Sequence, residues 1–247
     1  MFSIFKKKTP KAIPGGLSGL RADMHCHLVP GIDDGAPNLE TSLTLIRGMM
    51  DLGYKKIIST PHVMGELYPN ARETILTGAE TVRRTLVEEG IEVDFSAAAE
   101  YMLDDHFSNL LEKEIPLLPV KDNMVLVEFS FASPPLDFKE KIFAMQISGY
   151  RPIIAHPERY SYLHYNRKVY DELKQTGCLF QVNLLSLVGY YGKPAAEVAQ
   201  YLLKKDYVDL LGSDLHHEKH LGHLHSPELA EQVARIIGTR SLLNPSL

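Results

Sequence analysis

Residues 151–159 read RPIIAHPER: a short β-rich run, a histidine at its end, then a proline that stops the strand and a charged pair beyond it. The same form recurs in both directions along the chain. Upstream lie ADMHCHL from Ala22, KKIIST from Lys55, VDFSAAAE from Val93 and MVLVEFSF from Met124; downstream lie CLFQVNLL from Cys178 and YVDLLGSD from Tyr207. Between these runs sit segments with helical spacing, such as SLTLIRGMMDLG, ETILTGAETVRRTLVEEG, KEKIFAMQISG and AAEVAQYLLKK, several closing on glycine or a basic residue as helix C-termini do. Seven strand–helix units at roughly thirty-residue spacing predict parallel strands joined by crossover helices. A polar residue ends nearly every strand, as in barrel enzymes, whereas an open sheet concentrates its site at one switch point. The expected fold is α/β, a distorted TIM-like (β/α)7 barrel.

The 247 residues suffice for one large domain with a buried core. No Ser/Gly-rich linker divides the chain, so the reading is a basic leader over 1–15 and one domain over 16–247. Hydrophobic residues make up 45% and charged residues 23%, as in ordinary soluble proteins. A net charge of -5 speaks against a surface that coats nucleic acid. Two cysteines suit a reducing compartment, and no run reaches the roughly 18 uncharged apolar residues of a membrane span. A cytoplasmic protein is expected, with MFSIFKKKTPK giving at most a peripheral contact with an anionic membrane.

The strand ends carry the chemistry. His25 and His27 are two apart on the first strand, so both imidazoles project to one side. The turn after them holds Asp33 and Asp34, one of which can swing back to the same pocket. Pro61 stops the second strand and throws His62 into the loop above it. Glu100 follows three alanines, an arrangement that leaves room for ions. Glu128 sits within an apolar run, where an unpaired carboxylate is very costly and must be neutralised. His156 and Arg159 end the fifth strand, and Asp214 and His216 end the seventh. Taken singly, Glu128 could pair with a buried base, His156 could be a core histidine and Asp214 a helix cap. Together, mixed imidazole and carboxylate at six strand ends of seven exceed what one divalent ion takes. Two or three ions would use the set, and nitrogen–oxygen ligation suits manganese, iron or zinc. Such a site hydrolyses phosphate esters with acidified water, and Arg159 is the natural clamp for a phosphate oxygen. Its plain alternative is a surface ion pair with Glu158 or Asp171.

In order along the chain, DMHCHLVPGIDDGA, ISTPHV, AAAEY, VLVEFSF, IIAHPERY and GSDLHH resemble the polymerase-and-histidinol-phosphatase (PHP) superfamily. More closely, they resemble its bacterial protein-tyrosine phosphatases that accompany capsular and exopolysaccharide synthesis. The resemblance implies a seven-stranded distorted barrel with up to three metal ions, commonly manganese. It implies that His25, His27, Asp34, His62, Glu100, Glu128, His156, Asp214 and His216 are ligands, with the second Asp of the pair chosen, and that Arg159 contacts phosphate. The implied substrate is the phosphotyrosine tail of a membrane-associated bacterial tyrosine kinase; a small monoester such as histidinol phosphate, or a non-catalytic phosphotyrosine-binding regulator, are the alternatives. Relatives often carry an arginine soon after the final Asp-x-His, but HHEKHLGHLH follows here, leaving Lys219, His220 or His223 to supply the charge. Candidates for protonating the departing phenol are His62, Asp33 and His217. Cysteine phosphatase chemistry is excluded, because Ile32 and Leu184 stand where that mechanism needs an arginine after Cys26 and Cys178. The stretch RYSYLHYNRKVY, and Tyr190 or Tyr191 in the loop after the sixth strand, are candidates to line the pocket.

Overall fold

The computed structural model describes residues 16–133 and 136–247, so the leader expected over 1–15 lies outside the described residues. The strands are β1 (Ala22–Asp23), β2 (Lys56–Ser59), β3 (His62–Val63), β4 (Asp94–Ala97), β5 (Glu100–Met102), β6 (Met124–Glu128), β7 (Arg151–Ala155), β8 (Leu179–Asn183) and β9 (Leu210–Gly212). They form two sheets, β1-β2-β4 and β3-β5-β6-β7-β8-β9. Every pairing between them is parallel. Helices α1 (Leu39–Asp51), α2 (Arg72–Glu88), α3 (Asp105–Glu112), α4 (Phe138–Ile147), α5 (Lys168–Gln175), α6 (Leu184–Leu187), α7 (Lys193–Lys204), α8 (Glu218–Leu224) and α9 (Pro227–Thr239) connect and cover them.

Seven runs become nine strands among the described residues because the second and third runs each break in two. Pro61 has no N–H to continue the ladder, and its neighbour breaks alongside it between Ala97 and Glu100. The courses still run on across the gap, with the Ala98 amide donating to the Ser59 carbonyl (2.8 Å) and the Glu100 amide to the Pro61 carbonyl (3.0 Å). The ring closes where Cys26 pairs in parallel with Leu215. There the His27 amide donates to the Leu215 carbonyl (2.9 Å) and the Asp214 amide to the His25 carbonyl (2.8 Å). The result is the distorted seven-course barrel expected from the sequence.

Period-two alternation sorts the strand residues into two layers. Met24, Ile58, Ala98, Leu126, Ile153, Ala155, Leu179 and Leu210 fill the inside of the ring. Their neighbours Ile57, Val125, Val127, Ile154, Phe180, Val182 and Leu211 pack outward with the helices. Cys26 joins the outer layer as a buried free thiol, as expected for a small apolar residue between two inward histidines. Inward alternation past the apolar layer is what delivers Glu128, Gln181 and Asn183 to the open end of the barrel. Gly212 lies at the same level, and a Cβ there would come within 2.8 Å of the His25 Cβ and 2.7 Å of the Gln181 amide, so only glycine fits. Local signals start the helices: Asn38, Asp104 and Ser226 cap α1, α3 and α9 through side-chain oxygens, and Pro227 opens α9. No helix among the described residues is long and apolar enough to cross a membrane.

Candidate metal centre

All nine residues singled out as ligands meet at the C-terminal end of the barrel. They fall into four overlapping groups: His27, Asp34, His62 and His216; His25, His27 and Glu100; His25, His156 and Asp214; His62, Glu100 and Glu128. Their side chains come from six of the seven courses, and the strand ends set their direction. His156 (φ 32°) and Asp214 (φ 51°) both take the left-handed conformation, which turns each side chain back over the barrel mouth. Non-glycine residues rarely adopt that conformation, and such strain clusters at functional sites.

Glu100 occupies the centre. Its Oε2 lies 3.1 Å from His25 Nε2, 3.5 Å from His27 Nε2 and 3.2 Å from His62 Nδ1, and its Oε1 lies 3.1 Å from His156 Nε2. Glu128 Oε1 is 2.9 Å from His62 Nδ1. Asp214 Oδ1 stands 3.4 Å from His25 Nε2 and 3.6 Å from His27 Nε2. At the mouth, Asp34 Oδ1 is 3.5 Å from both His62 Nε2 and His216 Nε2, with about half of its side chain exposed. Burial disfavours charge on His25 and His62, yet the surrounding carboxylates override it and push them up to about 9 and about 10. Burial also opposes ionisation of Glu100 and Asp214, but the facing histidines hold both well below the usual carboxylate range. Glu128 moves the other way: its burial, and then the charge of Glu100, raise it. Two carboxylates so close resist ionising together unless a cation lies between them.

A second layer of side chains fixes the first, and the sequence reading did not single out most of it. Gln181 Oε1 accepts from the His156 amide (3.3 Å), which identifies it as the oxygen, and it therefore accepts from His25 Nδ1 as well (2.7 Å). Gln181 Nε2 donates to Asn183 Oδ1 (2.9 Å), and Asn183 Nδ2 donates to Asp214 Oδ2 (2.7 Å). Strand β8, the one course that brings no ligand of its own, thus ties His25 to Asp214 through two buried amides. Asp33 does the same for His27, accepting from its Nδ1 (2.8 Å) and from the His62 and Gly35 amides (3.1 and 3.0 Å). His216 Nδ1 donates to the Asp214 carbonyl at 3.0 Å. Three imidazoles are clamped at Nδ1 and present Nε2 to the cluster, the arrangement that orients metal-binding histidines. Asp33 was a candidate proton donor; although buried, its carboxyl is held below the ordinary range by the bond from His27. The signal for Gln181 and Asn183 lay in CLFQVNLL, where amides alternate with Phe180 and Val182 on a buried strand.

Above the cluster lies a hollow of about 250 Å³ lined by Asp34, His62, Glu128, Phe131, His156, Arg159, Tyr191, Asp214, His216, His217 and His220. Arg159 is the one arginine or lysine among the described residues on its wall. Its guanidinium pairs with Asp214 Oδ2 at 2.6 Å, and not with Glu158 or Asp171 as the plain alternative had it. The guanidinium carbon also lies 4.7 Å from the Phe131 ring centre and 4.2 Å from that of Tyr191, so two aromatic faces sandwich it. Glu158 instead turns inward, accepting from Ser186 Oγ (2.6 Å) and the Asn183 amide (3.0 Å). Lys219 and His223 are not on the wall, and burial followed by its neighbour His217 lowers His220 to about 4. Of the tyrosine-rich stretch 159–170, Tyr160 and Tyr170 are core residues, while Tyr191, from the loop after β8, reaches the hollow.

Several buried atoms here have no hydrogen-bond partner: His27 Nε2, His62 Nδ1, Glu100 Oε1, both Glu128 oxygens and His156 Nδ1. Leaving them so would cost several kcal/mol in total, and divalent ions would satisfy most of them together. The donor set fits such ions. The model for the family described as capsular polysaccharide synthesis, CpsB/CapC, matches residues 21–240. The chain is 31% identical over 200 residues to the tyrosine-protein phosphatase CpsB of Streptococcus pneumoniae, covering 78% of this chain and 82% of that protein. It is 29% identical over 198 residues to the tyrosine-protein phosphatase YwqE of Bacillus subtilis, covering 80% of this chain and 78% of that one. Among solved structures it superimposes on one from a study of YwqE and CpsB as metal-dependent tyrosine phosphatases, with a TM-score of 0.75 and 26% identity over 90% of this chain and 96% of the other.

Proposed function

Because the chain belongs to the capsular polysaccharide synthesis CpsB/CapC family, we infer that it is a metal-dependent protein-tyrosine phosphatase with a PHP-type barrel. The observation that carries this reading is Arg159, a cation fixed by Asp214 and two aromatic rings at the edge of a metal-type cluster. The nine clustered residues are the proposed ligands of two or three divalent ions, with manganese first and iron or zinc as alternatives. Bound there, such ions supply Lewis acidity and a water acidified toward neutral pH.

The chain's own groups do the rest. The Arg159 fork holds a non-bridging phosphate oxygen and places the phosphorus over the cluster. Its pairing with Asp214 and its aromatic sandwich keep it in place before substrate arrives, so little ordering remains at the moment of reaction. Phe131 and Tyr191 offer ring faces to the phenol of the substrate. Asp34 and His62, adjacent at the mouth, orient the attacking water. The leaving phenolate has a pKa near ~10 and departs faster when it receives a proton. Of the candidates for that step, Asp33 is engaged with three donors and His62 is enclosed by Glu100 and Glu128. His217 is exposed on the wall of the hollow and uses only Nδ1 to cap α8, so its Nε2 is free to donate.

The proposed substrate is phosphotyrosine on a protein, specifically the tail of a membrane-associated bacterial tyrosine kinase, met on the cytoplasmic side. The test is phosphate release from a phosphotyrosine peptide and from histidinol phosphate, with manganese and then with a chelator. Selective release from the peptide, stopped by the chelator, supports the reading. Selective release from histidinol phosphate would keep the cluster and overturn the substrate.

A further inference from the structure

A second hollow, about 450 Å³ in volume, adjoins the catalytic one. Phe131, Arg159 and Tyr191 line both, so the two are separated by a wall one side chain thick. The far side is closed by Ser161, Tyr165, Pro194 and Ala195. Phosphate hydrolysis has no use for this space. Two of its polar groups are engaged, Arg159 Nη1 by Asp214 and His164 Nε2 by the Glu158 carbonyl at 2.8 Å, while the Tyr191 hydroxyl is buried without a hydrogen-bond partner. Most of what it offers a ligand is carbon surface, namely the rings of Phe131, Tyr165 and Tyr191 and the side chains of Pro194 and Ala195. Tyr165 is almost fully exposed at 98%, a large area for a ring to leave uncovered.

The spacing says which group fits. In an extended peptide, side chains two residues apart point the same way and lie about 7 Å from each other. Phe131, Arg159 and Tyr191 each face both hollows, so groups occupying the two lie one side chain apart, a separation of the order of that step. We propose that the outer hollow is a substrate subsite for a large apolar or aromatic side chain two residues from the phosphotyrosine of an extended peptide. This rests on the phosphatase reading above and adds to it a preference within protein substrates. A small phosphate monoester has nothing to place there. A ring in the outer hollow packs against the same two aromatics that hold Arg159, so filling it also firms the phosphate clamp.

The test uses three phosphotyrosine peptides of one length: Phe two residues before the phosphotyrosine, Phe two residues after it, or Ala at both positions. With wild-type protein, one Phe peptide should show kcat/KM about 5- to 10-fold above the Ala peptide, the size expected for partial burial of one ring. Ser161→Trp, which fills the hollow from an exposed position, should bring that ratio to about 1. Tyr165→Ala should lower it by about half, and its full exposure makes misfolding no concern. The subsite is overturned if neither Phe peptide gains over Ala, or if the gain survives both substitutions. Absence of phosphate release from all three peptides would instead remove the phosphatase reading and the subsite with it.

Discussion

The floor and the rim of the site are built on opposite plans. On the floor, His25, Glu100, His156 and Asp214 are buried, and Gln181 and Asn183 behind them hold His25 Nδ1, the His156 amide and Asp214 Oδ2. On the rim, Asp34 and His217 face solvent, Phe131 is partly exposed and Arg159 is held by stacking as much as by charge. Removing a floor group leaves its partners buried and unpaired, whereas removing a rim group lets water take its place. On the proposed assignment, the floor supplies most of the groups that hold ions, and Arg159 and His217 on the rim act on what is bound above them.

The sharpest way to break this division is Glu100→Gln, which takes the central carboxylate from the floor. Phosphate release should fall by at least about 10³-fold, with metal content falling alongside it when measured by elemental analysis. Arg159→Ala should cost about 10²- to 10³-fold in kcat/KM with metal content retained, and Arg159→Lys should restore only a fraction because the fork is lost. If Arg159→Ala also emptied the site, the rim would belong to the floor after all. Gln181→Leu touches neither substrate nor ion, yet it should weaken metal affinity about 10- to 100-fold in a competition with a chromogenic chelator. His217→Ala should cost about 10-fold on phenyl phosphate and far less on a nitrophenyl ester, whose leaving group needs no proton.

The smallest effect is a matter of protons. His25 and His62 stand at about 9 and about 10 without ions, so at neutral pH both carry a charge that ion binding must displace. Calorimetric titration of manganese in buffers of different ionisation enthalpy should show about one to two protons released per molecule. The sign for the ion-free protein follows from the raised values. Stability from these histidines is fully present below pH 6.5 and is lost as pH rises through about 9 and about 10. The melting temperature of the chelated protein should accordingly fall across that window, while that of the metal-loaded protein should not.

The floor was far more legible in the sequence than its support. His156, Glu128 and Asp214 end or interrupt apolar runs, and a polar residue in such a place has few reasons to be there. Gln181 and Asn183 gave the same signal more quietly, since an amide on a strand is less costly than a charge and draws less notice. The choice between Asp33 and Asp34 could not be made from adjacency, because it turns on which carboxylate the loop 28–36 folds under His27. The stop at Pro61 was legible, but the chain resumes as β3 at His62 and not as a loop, and the echo of the break at Ala98 follows from loss of a partner and not from its own residues. Arg159 was foreseen as a clamp, but its partner Asp214 is 55 positions away and no local pattern pairs them.

The pairing of Cys26 with Leu215 that closes the ring joins the first strand to the last. As the chain leaves the ribosome, His25 and His27 are made well before Asp214 and His216, the groups they meet in the closed ring. If these residues are the ligands proposed above, a nascent chain holds an incomplete set of donors, and hydrolytic competence should arrive as a single late event instead of building up by degrees.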